Sequence, residues 1–158
     1  MIEKLKKQPG LVALLLLVAA VTIFLFRGSG GPSPTPTPEA FFTVDDGKTF
    51  FSAPITNLPP FQHEGQEAVA AKVFTSDGGE TQFVGFLEKY SDELKAKLET
   101  AESFNKQIGV LAGSRGRGTL VKRPGDAEWV VASDPRAKEI RRVTDDSGRP
   151  ARAMLAVN

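Results

Sequence analysis

The sequence predicts an α+β domain with an antiparallel sheet, joined to an N-terminal transmembrane helix. Three observations predict this architecture. An uncharged apolar run occupies residues 11–26, a proline-rich segment follows it, and hairpin patterns alternating with helical patterns fill the remainder. Charged residues make up 25% and hydrophobic residues 41% of the 158 positions, as in an ordinary folded domain. We expect a small sheet of about three hairpins with two helices.

The N-terminal region predicts a membrane anchor. Residues 1–10 form a basic N-terminus, expected in the cytoplasm, and residues 11–27 form the transmembrane anchor. Three lysines precede the apolar run and only Arg27 follows it, so the positive-inside rule places the C-terminal domain outside the cytoplasm. A cleaved signal peptide shares this pattern, because Gly28 and Gly30 offer small residues for cleavage. The alternative is therefore a domain secreted after cleavage near Gly30.

Residues 28–40 form a Gly/Ser/Pro/Thr linker. Its prolines at positions 32, 34, 36 and 38 fix φ and remove amide donors, which favours polyproline II. At about 3.1 Å per residue, residues 31–38 reach roughly 25 Å. We expect a semi-rigid spacer between the anchor and a small exported domain at residues 41–144.

The first hairpin of that domain spans residues 41–51. Asp46-Gly47 suits the two positive-φ positions of a type I′ turn, and this register pairs Phe42 with Phe51 and Val44 with Thr49. Prolines at positions 54, 59 and 60 then predict a loop that carries the only histidine, His63.

A second hairpin is predicted from residues 67–75 and 81–88, around a turn at 76–79. Gly85 within its return strand predicts a bulge or a close helix contact. A third hairpin is predicted from residues 119–123 and 128–132, and it contains Trp129.

Two helices complete the domain. The first is predicted at 92–108, capped by Ser91 and stopped by Gly109. Its apolar positions recur at helical spacing and predict a core-facing stripe: Leu94, Leu98, Ala101, Phe104 and Ile108. The second opens at Asp134-Pro135 and runs to about residue 143. Residues 145–158 are expected to form a loose tail, from which Met154-Leu155 can dock.

Residue usage excludes several classes of site. The chain has no cysteine and one histidine, which excludes thiolate metal sites and cysteine nucleophiles. His63-Glu64 lacks the second histidine of a zinc-protease helix, and the Asp-Gly segments lack the alternating pattern of a calcium loop. We therefore predict no catalytic residues, no metal site and no cofactor.

The most unusual local segment is the run of glycines and arginines at 113–118. It lacks the Gly-Lys-Ser/Thr ending of a phosphate loop. Two interpretations stay open: a flexible connection, or a contact for a phosphate, a polysaccharide or an anionic lipid headgroup. If a ligand or partner surface exists, we expect it to use four arginines: Arg115, Arg117, Arg141 and Arg142.

Charge is distributed unevenly along the domain. Residues 39–102 carry 12 acids and 5 bases, whereas residues 103–158 carry 6 acids and 11 bases. Such asymmetry can mark a nucleic-acid surface, but more often two such halves neutralise each other in the fold. We predict no nucleic-acid partner.

Several segments together resemble a group of small proteins from planctomycete-type bacteria. The segments are FTVDDGKTFF at 42–51, PPF at 59–61, AKVF at 71–74, FVGFLEKY at 83–90 and LVKRPGDAEW at 120–129. The resemblance covers about residues 41–140 and implies an N-terminal membrane segment with one exported domain. Members of the group often carry a cysteine near positions 75–79, where this chain has TSDGG, so the resemblance implies no disulfide or metal role here.

The sequence thus predicts a single-pass cell-envelope protein of the inner membrane with a periplasmic or extracellular domain. Its predicted partners are the lipid bilayer, through residues 11–27, and an envelope protein or polymer. We expect a non-enzymatic binding domain. The alternative is a small exported ligand-binding or enzymatic domain, released by signal-peptide cleavage, with His63 or the 113–118 arginines as its site.

Overall fold

A computed structural model of the chain describes residues 37–156. The predicted anchor and most of the predicted linker lie outside these residues. Within 37–156, no helix has the length and apolar character needed to cross a membrane. The elements are β1 (Glu39–Thr43), β2 (Phe51–Pro54), β3 (Phe61–His63), β4 (Gln66–Thr75), β5 (Gln82–Tyr90), α1 (Asp92–Glu99), α2 (Phe104–Ser114), β6 (Thr119–Lys122), β7 (Val130–Val131), α3 (Pro135–Arg141) and β8 (Arg152–Ala153).

The fold is α+β with an antiparallel sheet, as predicted. The strand order is β2-β1-β4-β5-β6-β7. The long strand β4 organises the sheet, because it pairs with four other strands. Besides β5, the short strands β3, β1 and β8 pair with successive parts of β4, each antiparallel to it. The sequence predicts neither β3 nor β8 as a strand.

The first hairpin has the predicted register. Phe42 pairs with Phe51, and their ring centroids lie 6.1 Å apart. Asp46 and Gly47 have φ values of +62° and +82°, the positive values that the turn requires. The predicted pairing of Val44 with Thr49 is wrong, because the strand ladder ends at Phe42 and Phe51 and a wider turn follows.

The second hairpin, β4–β5, is also confirmed. Lys72 faces Phe86 and Val73 faces Val84, so Gly85 is the extra residue of a β-bulge. A Cβ atom at Gly85 would lie 2.7 Å from both the Phe74 ring and the Val143 side chain. The predicted bulge therefore also allows a close approach between the sheet and the segment after α3.

The prediction of one helix at 92–108 is wrong, because two helices occupy this region and Gly109 stops neither. α1 ends at the C-cap Thr100, whose backbone amide donates to the carbonyls of Ala96 and Leu98. A new helix then begins where the Ser103 hydroxyl accepts from the amide of Lys106. Three helices are therefore present among residues 37–156 instead of two.

Two segments predicted to be irregular are ordered strands. His63 lies in β3 and not in a loop, and its ring stacks on Phe51 with centroids 4.1 Å apart. Residues 145–156, predicted to be a loose tail, contain β8, and the Met154 amide donates to the Val73 carbonyl at 2.9 Å. Both segments are ordered because their backbone groups pair with those of β4.

The third hairpin is shorter than predicted. Only Val130–Val131 pairs with β6, so Trp129 lies just before the return strand. The last helix begins as predicted, since the Asp134 carboxylate caps it by accepting from the Arg136 amide and Pro135 opens the first turn. It ends at Arg141, two residues before the predicted end.

Hydrophobic side chains cover both faces of the sheet. On one face α3 covers a cluster formed by Phe74, Phe86, Val121, Val130 and Ala137. On the other face a cluster of Val69, Ala71, Val73 and Leu87 packs against the partly buried residues Phe41, Phe50, Val84, Trp129 and Met154. Helix α1 adds Leu94 and Leu98 to the buried interior. In contrast, helix α2 contributes no buried residue.

Candidate functional site

Helix α2 exposes apolar surface to solvent. Phe104 is 48% and Ile108 49% exposed, and they lie one turn apart on the same side of the helix. Asn105, Gly109 and Ala112 are exposed beside them. We call these five residues the α2 face. It contains no charged residue, whereas the solvent side of a helix in a soluble domain normally carries charges.

The opposite side of α2 rests on α1. The Gln107 side-chain amide donates to the Leu98 carbonyl at 3.2 Å, and this bond satisfies a carbonyl in the last turn of α1. Val110, Leu111 and Ser114 on the same side are half-buried. The α2 face therefore points away from the domain because the other side of the helix is already in contact with α1.

The loop that follows α2 is a defined turn and not merely a connection. Arg115, Gly116 and Gly118 have φ values of +50°, +78° and +84°. The Gly118 carbonyl accepts from the Ser91 amide at 2.7 Å, and a Cβ atom at Gly118 would lie 2.8 Å from the Leu94 Cβ. Close contact with α1 therefore requires glycine at position 118 and holds the two arginines of the loop at the end of the α2 face.

Both arginines of this loop keep their charges available. Arg115 and Arg117 are exposed, and the Arg117 Nε donates to the Ser114 carbonyl at 3.3 Å. Among residues 37–156 neither guanidinium forms an ion pair, in contrast to Lys106, which pairs with Glu102. The α2 face thus ends in two positive charges that no carboxylate of the described domain neutralises.

The structure does not join the four predicted arginines into one site. Arg141 lies 3.5 Å from the Glu88 carboxylate of β5, which ties α3 to the sheet. Arg142 lies 3.6 Å from Glu139 within α3. These two arginines already have carboxylate partners in the fold. Of the predicted contact residues, Arg115 and Arg117 share a loop beside α2, whereas Arg141 is the last residue of α3 and Arg142 is its C-cap.

A cleft of about 490 Å³ separates α1 from α2 and the loop. Its lining includes Arg117 and the ion pair between Lys97 and Glu93, whose charged atoms lie 2.7 Å apart. The cleft borders the α2 face and gives the Arg117 side chain open space. No pair of carboxylates and no histidine lines it, so its walls offer no general acid or base in a defined position.

The aspartates that resemble fragments of calcium loops serve in turns. The amide and hydroxyl of Thr49 donate to the Asp45 carboxylate at 2.9 Å and 2.7 Å. These hydrogen bonds, of which the one from the amide has the larger effect, lower the Asp45 pKa to about 2. Asp46 instead binds Lys122 across the fold at 2.6 Å, which lowers its pKa. Within residues 37–156, no group of three His, Cys, Asp or Glu side chains could hold a metal ion.

A second groove lies between β1 and the segment around β8. It has a volume of about 300 Å³ and is mostly apolar, and its lining includes two exposed large hydrophobic residues, Ile55 and Leu155. Its only charged lining residues are Glu39 and Lys72, and Lys72 forms an ion pair with Glu88. The groove thus has fewer free polar contacts than the α2 region.

Comparisons with protein-family models, curated proteins and solved structures find no match for this chain. The resemblance to planctomycete-type proteins therefore stays a prediction. The candidate site consists of the α2 face with Arg115 and Arg117. The sequence singles out the two arginines but places Phe104 and Ile108 in the core. Ser103, a favourable N-cap just before Phe104, is the sequence signal that could have located the second helix.

Proposed function

We propose that this chain is a single-pass, membrane-anchored cell-envelope protein whose exported domain is a non-enzymatic binding module. The observation that carries the binding role is the α2 face. Phe104 and Ile108 remain about half exposed although α2 is capped and packed on α1. An uncharged outward face on an ordered helix is the kind of surface that a partner covers.

The proposed absence of catalysis has a chemical basis in the described residues. The only histidine of the chain stacks on Phe51. Asp45 and Asp77 accept hydrogen bonds from threonines of their own turns, and Asp46 binds Lys122. The histidine and these aspartates thus have structural contacts within the domain. The arginines beside α2 can attract an anionic group, but a guanidinium stays protonated and cannot act as a general base.

The membrane topology can be tested with a reporter that is active only outside the cytoplasm, fused after Asn158. We expect activity in cells and a mature protein that retains its N-terminus, because the basic residues lie before the apolar run. Activity of a cytoplasmic reporter would contradict the topology. A mature product that starts near Gly31 would show that the protein is secreted after cleavage and is not anchored.

The binding role can be tested by cysteine accessibility, because the chain has no cysteine of its own. We substitute Ala112→Cys within the α2 face, and Ser76→Cys in the β4–β5 turn as the control. In intact envelopes, a membrane-impermeant maleimide should label position 76 readily and position 112 at least severalfold more slowly. Solubilisation in detergent should remove this difference. Equal labelling of both positions in the envelope would contradict an occupied α2 face.

A further inference from the structure

We infer that the partner of the α2 face is the surface of an anionic lipid bilayer, with Arg115 and Arg117 against the lipid phosphates. This inference rests on the proposed binding function and names its partner class. Phe104 and Ile108 would enter the boundary between headgroups and acyl chains, while the helix axis lies along the surface. Interfacial helices bury an apolar side at this boundary and add electrostatic attraction between basic residues and anionic lipids.

Charge complementarity favours a lipid phosphate over the other candidates. Residues 103–118 contain three basic residues and no acidic one. Arg115 and Arg117 have no acidic partner within the described domain, and a guanidinium matches the geometry of a phosphate. In a twofold contact through the same face, the partner would present the same five uncharged residues, which offer no anion to either guanidinium.

The surface of the helix also fits a lipid interface. Gly109 and Ala112 fill the middle of the α2 face, and nothing lies within 4 Å of a Cβ atom built at Gly109. Small side chains here let Phe104 and Ile108 project beyond the helix backbone. Lys106 is exposed on a flank of α2, turned away from Phe104 and Ile108, and it forms an ion pair with Glu102.

The predicted tether supplies the proximity that a weak contact needs. The described domain begins at Thr37, only ten positions after the end of the predicted anchor at residue 27. A linker of this length keeps the domain within a few tens of Å of the bilayer, so the second contact becomes intramolecular. Two arginines and two apolar side chains then suffice for docking, although they would bind a free vesicle weakly.

The test uses the full chain, purified in detergent and reconstituted into vesicles. One set of vesicles contains phosphatidylcholine alone, and the other mixes it with phosphatidylglycerol. An environment-sensitive fluorophore is attached to Ala112→Cys or, as the control, to Ser76→Cys. In the anionic vesicles we expect a blue shift at position 112, quenching by brominated lipids, and reversal by salt, with none of these at position 76. Both leaflets have the same composition, so the direction of insertion does not affect the result.

Two sets of variants make the test specific. Arg115→Gln and Arg117→Gln should each reduce the ratio of docked to undocked label by about fivefold in anionic vesicles. Lys138→Gln removes an exposed charge on α3 and should leave that ratio unchanged. The double change Phe104→Ser and Ile108→Ser should abolish docking. Thermal unfolding of each variant checks that the fold persists.

The outcomes separate this inference from the proposed function. A label at position 112 that stays in water in both kinds of vesicle overturns the lipid partner, as does docking that ignores lipid charge. If the same position is nevertheless protected in intact envelopes, the binding role stands and a protein or polymer occupies the face. If it is unprotected in envelopes, both the binding role and its lipid partner fail.

Discussion

Two turns of the domain contain threonine, aspartate, glycine and threonine at the same spacing, at every second position. Thr43, Asp45, Gly47 and Thr49 form the first turn, and Thr75, Asp77, Gly79 and Thr81 form the second. In each turn the first threonine hydroxyl accepts from the glycine amide, at 3.0 Å and 2.9 Å. In each turn the aspartate accepts from the amide of the last threonine, at 2.9 Å and 2.8 Å. Hydrogen bonds to the charged carboxylates lower the pKa of both aspartates.

The Asp45 turn predicts a particular loss of stability in acid. A carboxyl with a lowered pKa in the folded state stabilises the fold above its unfolded pKa of 3.8 and loses this contribution as the pH falls toward about 2. We expect Asp45→Asn to lower the unfolding temperature at pH 6 and to approach the wild type near pH 2. Thermal unfolding followed by circular dichroism across this range measures the effect. A difference that stays constant with pH would contradict it.

Replacing glycine by alanine should have opposite effects on stability at two positions of the domain. Gly85→Ala places a methyl group 2.7 Å from Phe74 and Val143, and overpacking of this kind costs about 1–3 kcal/mol. Gly109→Ala places it in open space within a helix and should stabilise α2 by about 0.5–1 kcal/mol. Urea unfolding measures Gly85→Ala, and hydrogen exchange of the α2 amides measures Gly109→Ala. Equal effects at both positions would contradict the packing at the bulge.

At the scale of elements, the break between α1 and α2 decides which apolar residues are buried. A continuous helix would bring Leu94, Leu98, Phe104 and Ile108 to one side, as their spacing predicts. Thr100 ends α1 and Ser103 starts α2 in a new direction, so the second pair of residues leaves the core. Leu98 is fully buried, whereas Ile108 is half exposed.

Paired truncations test this break. Leu98→Ala should lower the free energy of unfolding by about 2–5 kcal/mol, because it opens a cavity at a fully buried site. Ile108→Ala removes a half-exposed side chain and should cost less than about 1 kcal/mol. Urea denaturation at neutral pH compares the two variants. Similar large losses from both would indicate that Ile108 belongs to the core.

At the scale of the whole domain, contacts between distant segments complete the sheet. Ala153 pairs with Phe74, and Met154 packs against the cluster formed around Val73. The Asp46 carboxylate accepts from the Gly125 amide at 2.7 Å and so joins the turns of two hairpins. These contacts tie the last part of the described chain and the first hairpin into the same fold.

Truncation tests the docked C-terminal segment. A chain that ends at Pro150 loses the pairing of β8 with β4 and the partial burial of Met154. We expect its free energy of unfolding to fall by about 1–2 kcal/mol, because apolar surface on one sheet face becomes exposed. A chain that lacks only residues 157–158 is the control and should match the full-length protein. If the longer truncation leaves the free energy of unfolding unchanged, the segment is a loose tail, as the sequence predicts.

The sequence by itself determined the fold class, the Phe42–Phe51 register, the bulge at Gly85 and the cap of α3. These features follow from local chemistry: the period of the apolar residues, positive φ at Asp46 and Gly47, and a proline in a first turn. The sequence also singled out Arg115 and Arg117, because arginines between glycines are conspicuous. The anchor and the export of the domain remain predictions from the N-terminal charge pattern.

Only the tertiary structure decided which apolar residues are exposed and which arginines are free. Periodicity cannot show that Thr100 and Ser103 divide one apolar stripe into a buried half and an exposed half, because both halves keep helical spacing. Likewise, Arg141 and Arg117 look equivalent in sequence, and only the fold gives Arg141 its partner on β5. The α2 face thus arises from packing between segments, which no local pattern records.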